Sequence, residues 1–125
     1  VEVTRPSLFA RLGGEAAIEA CVIGFYERVM SDPQLAHFFE HLDMDAQIRK
    51  QIAFMSMAFG GPNRYTGRDL RLAHEGLVVK GLNDVHFDGV VGHLGTTLGE
   101  LGVDATTIEE VITIVEGARG HILNR

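Results

Sequence analysis

The chain has no tryptophan, one cysteine, three prolines, and 11 basic residues against 17 acidic ones. Each scarcity removes a class of function. A lone Cys21 can close no internal disulfide and build no thiolate zinc site. In the run Ala20-Cys21-Val22-Ile23 it reads as a small buried hydrophobe. A formal net charge of −6 excludes a general nucleic-acid binder, which needs a basic face. Apolar runs stop at Gly, Glu or Arg before membrane-spanning length. The opening VEVTRPSLFARLGG lacks the apolar centre of a signal peptide. Phosphate-loop and dinucleotide patterns are missing, because Gly13-Gly14 leads into Glu15 with no following Lys-Ser/Thr. Ser7, Ser31 and Ser56 lie in no nucleophile-elbow sequence.

What is present is an ordinary globular composition, 46% hydrophobic and 22% charged, over 125 residues. That predicts one domain spanning 1–125, with 1–6 as a loose N-terminal extension. Glycine is abundant, 15 residues in all, and its pairs at 13–14 and 60–61 read as stops between helices. Ser7 caps a short helix to Leu12. Ala17, Ile18, Cys21, Val22, Phe25 and Val29 recur at helical steps over Glu15 to Met30. Asp32-Pro33 starts a short helix through Phe39, with Pro in the first turn. Asp43 caps Met44 to Phe59, and Asn83 caps a helix to about Leu101. Between them, Arg68 to Val79 is helix-like but short. Thr106 and Glu109 form a capping box that opens a last helix bearing Ile108, Val111, Ile112, Val115 and Ile122. No segment alternates like a strand. The predicted class is all-α, with six or seven helices and short connections.

Six histidines are the first candidates for chemistry. His37 and His41 stand at i, i+4, but no zinc-enzyme motif surrounds them and a helix end falls between them, which favours solvated or capping roles. His86 and His93 are two turns apart, too far for one ion. His121, near the chain end, is expected to be exposed. His74 lies among apolar neighbours in Leu72-Ala73-His74-Glu75-Gly76-Leu77; a satisfied histidine is the commoner outcome there, yet one imidazole suffices to hold a haem iron. Gln47 and Gln51 share a helix face, and Tyr26 falls on the buried side of its own helix. Periodicity leaves two readings of that trio open: a buried hydrogen-bond network or the polar lining of a ligand pocket. Phe38-Phe39 is core by default.

Taken together these positions resemble a known family. Leu12-Gly13-Gly14, Phe25-Tyr26-Glu27-Arg28-Val29, Phe38-Phe39, Asp43-Met44, Gln51, Phe59-Gly60-Gly61-Pro62, Tyr65-x-Gly67, Ala73-His74 and His86-Phe87-Asp88 occur in the order and spacing of truncated, two-over-two haemoglobins of the first group. The resemblance covers about Ser7 to Arg125. It implies a globin-like two-over-two helical sandwich enclosing haem b. It implies His74 as proximal iron ligand, Phe39 stacked on the haem plane, and Tyr26, Gln47 and Gln51 on the distal side. Met44, Phe54, Leu72, Leu77, His86, Phe87, Val90 and Leu94 would complete the cofactor site.

Lys50 matches a position that can pair with a haem propionate. In some members that position binds the iron as a sixth ligand in the ligand-free state. A last-helix histidine bonds covalently to haem in certain cyanobacterial members, but His121 is out of clear register, so non-covalent haem is expected. The ligands implied are O₂, NO and CO. A bound O₂ carries partial negative charge, which phenol and amide donors stabilise by about 0.5–1.5 kcal/mol each. The functions implied are oxygen binding, linked to storage, transport or sensing, or NO dioxygenation to nitrate with an external reductase. No nucleic-acid or membrane partner is expected, and the chain should be a monomer or weak dimer. A cytoplasmic location is expected, or an organelle stroma for an algal source. The reading without haem is a helical interaction module with His74 on its surface.

Overall fold

The computed structural model describes residues 7–60 and 74–124, and among these all regular structure is helical. The order is α1 (Leu8–Leu12), α2 (Glu15–Met30), α3 (Pro33–Ala36), a 3₁₀ turn (His37–Phe39), α4 (Met44–Ala58), helical residues 74–79 (α5), α6 (Asp84–Glu100), α7 (Ala105–Gly117) and α8 (Arg119–Ile122). None of these helices is long and apolar enough to cross a membrane. The expectations for residues 1–6 and for Leu72, Tyr65 and Gly67 lie outside the described residues.

Capping chemistry sets most boundaries. Ser7 Oγ accepts from Ala10 N at 3.2 Å, and Gly13, at φ 115°, turns the chain out of α1. Asp32 Oδ1 accepts from Gln34 N at 3.0 Å, and Asp43 Oδ1 accepts from Asp45 N at 3.1 Å and Ala46 N at 3.3 Å. Asn83 caps α6, and His86 returns the favour by accepting the Asn83 N–H at Nδ1, 3.1 Å away.

Two expectations about helix ends need correction. The cap of α7 is Asp104, not Thr106: its carboxylate accepts from Thr107 N at 3.2 Å and Thr107 Oγ1 at 2.6 Å, so the helix begins at Ala105. An acid two residues ahead of a capping-box sequence takes the cap first. The last helix is also not continuous. It stops at Gly117, and α8 restarts after Ala118, with Arg119 drawn onto Asp84, Asp88 and Glu116. Gly24 lies inside α2, and Gly89, Gly92, Gly95 and Gly99 lie inside α6, within the helices expected over Glu15 to Met30 and from Asn83 to about Leu101.

Two helix pairs make the body of the fold, α2 with α4 and α6 with α7, joined where α2 crosses α6. This is the two-over-two arrangement. Alpha2 is central because its buried face is continuous: Ile18, Cys21, Val22, Phe25, Tyr26 and Val29. They meet Leu94 and Leu98 of α6 and Val111 and Val115 of α7 in one core. Each such aliphatic or aromatic side chain contributes about 1.5–3 kcal/mol by leaving water. The crossing is tight at Gly24, where an added Cβ would stand 3.1 Å from Thr97 Cγ2. Gly24→Val should therefore push the two pairs apart and cost roughly 1–3 kcal/mol. A urea midpoint equal to that of the parent, at equal slope, would show that the crossing has slack.

Candidate functional site

Tyr26, Gln47 and Gln51 do come together. Gln47 Nε2 donates to the Tyr26 hydroxyl at 3.1 Å, and that hydroxyl donates to Gln51 Oε1 at 3.4 Å. The i, i+4 spacing on α4 puts both amides over one side chain of α2. Tyr26 is only 4% exposed, while both glutamines are half-buried. Its ring meets Phe25 edge-on at 5.0 Å between centroids and Phe39 at 5.7 Å. The phenol ring is thus packed against two aromatic neighbours, which leaves its proton as the adjustable part. Because the oxygen accepts from Gln47, that proton must point elsewhere. Its bond to Gln51 is long and correspondingly easy to give up.

Of the apolar residues expected beside this trio, Phe39 meets the Tyr26 ring. Phe39, Met44, Phe54 and Val90 are half-buried, Phe87 is buried, and Leu77 on α5 is half-buried. Alpha4 rests chiefly on α2, and α6 on α2 and α7. His74 opens the described part of α5 and is half-buried. Leu94 sits deeper, 2% exposed, at a cavity of about 150 Å³ shared with Leu12, Ile18, Cys21 and Val111. Lys50 is exposed on α4. His37 and His41 are exposed too, and His121 is half-buried rather than exposed.

The bacterial-like globin family matches residues 7–124. The chain belongs to the bacterial-like globins. Within them this globin aligns with group 1 truncated haemoglobins. It is 46% identical to group 1 truncated haemoglobin LI410 of Chlamydomonas moewusii, over 94% of this chain and 68% of that protein. Among solved structures it superposes on the 2/2 haemoglobin of Synechococcus sp. PCC 7002, in a cyanomet state with covalently attached haem. The TM-score is 0.91 at 45% identity, covering 96% of this chain and all of that one. With THB1 of Chlamydomonas reinhardtii the TM-score is 0.82 at 50% identity, over 96% and 98% of the two chains.

Two polar centres of this globin carry no sequence motif. His93 Nε2 lies 2.8 Å from Asp32 Oδ2, joining α6 to the cap of α3 across 61 positions. Arg119 binds Asp84 at 2.8 Å, Asp88 at 2.6 Å and Glu116 at 2.9 Å, and its guanidinium lies 4.3 Å over the Phe87 ring. Hydrogen bonding to Glu116 is the largest cause raising the Arg119 pKa further, and Arg119 in turn holds the Glu116 carboxyl below its ordinary value. Only the i, i+3 spacing of Glu116 and Arg119 was visible beforehand. Burial pushes the Cys21 thiol up to about 11, so it is no nucleophile at neutral pH.

Proposed function

We propose that this globin binds haem b without a covalent link and takes up O₂ and other diatomic gases on it. The reading rests on one observation: a buried phenol that two amides of one helix face bracket, accepting from Gln47 and making only a long bond to Gln51. The donor set fits the cofactor. His74 supplies the single imidazole needed on one side. Phe39, Met44, Phe54, Leu77, Phe87 and Val90 supply apolar walls, with Leu94 packed behind them and Leu72 expected to join them. His86, its Nδ1 engaged by Asn83, offers Nε2 to a propionate.

Bound haem would supply an iron centre able to take a diatomic gas. The rest is work for the chain. His74 would hold the iron through its imidazole. Phe39 and its apolar neighbours would exclude water, which strengthens every hydrogen bond inside. Tyr26 would turn its proton from Gln51 toward the ligand, with Gln47 keeping the hydroxyl aligned. Gln51, which presents Oε1 to the phenol, could reverse to offer Nε2 as a further donor.

Absorption spectra of the ferric, ferrous and O₂-exposed protein test this directly. A Soret band that shifts reversibly with O₂ supports the reading. No Soret band after haem addition would leave a helical module without a cofactor.

Lys50 has two roles open to a long amine at the cleft edge: pairing with a propionate, and ligating ferric iron when no gas is bound. Coordination requires the neutral amine, so it should strengthen at high pH. Lys50→Ala should then convert a six-coordinate ferric spectrum to a high-spin or water-bound one. Identical parent and variant spectra at high pH would remove Lys50 from the iron.

A further inference from the structure

Alpha3 and the following 3₁₀ turn are too short to be stable alone. Three contacts lay this strap, residues 32–39, along α6. Asp32 meets His93, and Leu35, 2% exposed, reaches within 3.5 Å of the point where Gly89 would carry a Cβ. Phe38 meets the His86 ring edge-on at 5.0 Å. Positions 32, 35 and 38 thus run antiparallel to 93, 89 and 86, each set on one helical face. At Gly89 the strap and α6 stand at ordinary packing distance, with Leu35 filling the space beside the helix backbone. The far end of the strap carries Phe39, which rests against Tyr26.

Both ends of this seam are histidines, and they differ in chemistry. His86 accepts a backbone N–H at Nδ1 and meets Phe38 through its ring, so its part in the seam calls for no charge. His93 faces a carboxylate, so it serves the seam best when charged. We infer that His93 is a positioning residue for the ligand pocket: paired with Asp32 it presses the 32–39 strap onto α6, and its loss of charge on going alkaline loosens Phe39 against Tyr26. The inference rests on the reading of Tyr26 as the donor to bound gas.

The charges nearby leave the pair in control. The His93 bond is the largest cause holding the Asp32 carboxyl below its ordinary value, and the Gln34 N–H is the next. A lowered carboxyl gives its stability above the ordinary value and loses it on acidification. Asp32 therefore stays ionised through the range where histidine charges change, between pH 5 and 8. On α2, the neighbouring Arg28 pairs with Glu100 of α6, while Glu27 is exposed. On α6, Asp88 is taken by Arg119, and α3 itself has no charged side chain after its cap. His37 in the 3₁₀ turn is exposed beside Phe38, with rings 4.0 Å apart, and Glu40 follows it at the surface.

The test compares the haem-loaded parent with His93→Gln, which keeps a donor for Asp32 but cannot charge, and with Asp32→Asn, which keeps the helix cap. O₂ release is timed by stopped flow from pH 6 to 8, and amide exchange of residues 34–36, corrected for intrinsic rate, is followed over the same range. The parent should release O₂ roughly 2- to 5-fold more slowly at pH 6 than at pH 8, the modest span expected of a half-exposed pair. Its 34–36 amides should be better protected at pH 6, and both trends should be flat in the two variants. The same pH profile in His93→Gln as in the parent overturns the inference, as does amide protection that changes while O₂ release stays flat. A parent without a Soret band overturns instead the reading of the pocket on which the coupling depends. That outcome is visible before any rate is taken.

Discussion

His74→Ala is expected to abolish stable haem retention: the variant should lose its Soret band on gel filtration, where the parent should keep it. No other residue change should have a larger effect. Removing groups that merely orient a metal ligand already costs about 10- to 100-fold in affinity, and removal of the ligand itself should exceed that range. The apolar walls would still offer haem a greasy slot, so a weak, broad absorption before chromatography is compatible with the assignment. Imidazole in the buffer gives the decisive control. It should enter the space left by the side chain and restore a ligated spectrum without restoring the tether. His41→Ala, on an exposed residue after the 3₁₀ turn, should change nothing. A band in His74→Ala that is unchanged after gel filtration would move the proximal role to another residue.

Tyr26→Phe is expected to speed O₂ release on the order of 10- to 100-fold. The ring contacts with Phe25 and Phe39 survive the change, so packing is preserved and only the hydroxyl is lost. A donor to a partly negative acceptor in a dry pocket is worth about 1.5–3 kcal/mol, and each 1.4 kcal/mol is tenfold in a rate governed by that bond. The loss will not be additive with changes at the glutamines. Gln47 donates to Tyr26 in the parent, and with the hydroxyl gone its Nε2–H is released to find the ligand itself. A Gln47→Leu change on the Tyr26→Phe background should therefore do more harm than the same change in the parent. Equal release rates in parent and Tyr26→Phe would show that the phenol faces Gln51 throughout and never turns.

The helices were legible because their signals are local. Ser7, Asp32-Pro33, Asp43 and Asn83 each begin a helix by a bond reaching two or three residues ahead, and Gly13 ends one by its own φ. Asp104 misled because two adjacent candidates competed for one cap, and only geometry decides between neighbours. The trio Tyr26, Gln47 and Gln51 was visible as one helix face opposite one buried ring, but its bond directions were not. An amide donates and accepts equally well on paper. His93 with Asp32 left no trace in the sequence, since 61 positions separate them. Arg119 was equally silent toward Asp84 and Asp88, more than 30 positions away. Glycines inside the helices were placed correctly, but the tight approach of Thr97 to Gly24 is a fact about a neighbouring helix.

The apolar hollow beside Cys21 has a thermodynamic meaning of its own. Its lining is nearly all apolar, yet it opens toward water, and Ala20 and Leu101 on its rim are exposed. Apolar surface left wet forgoes about 25 cal/mol for each square ångström that burial would return. The body's margin against unfolding therefore rests on contacts that water never reaches, those of Val22, Val29 and Val111.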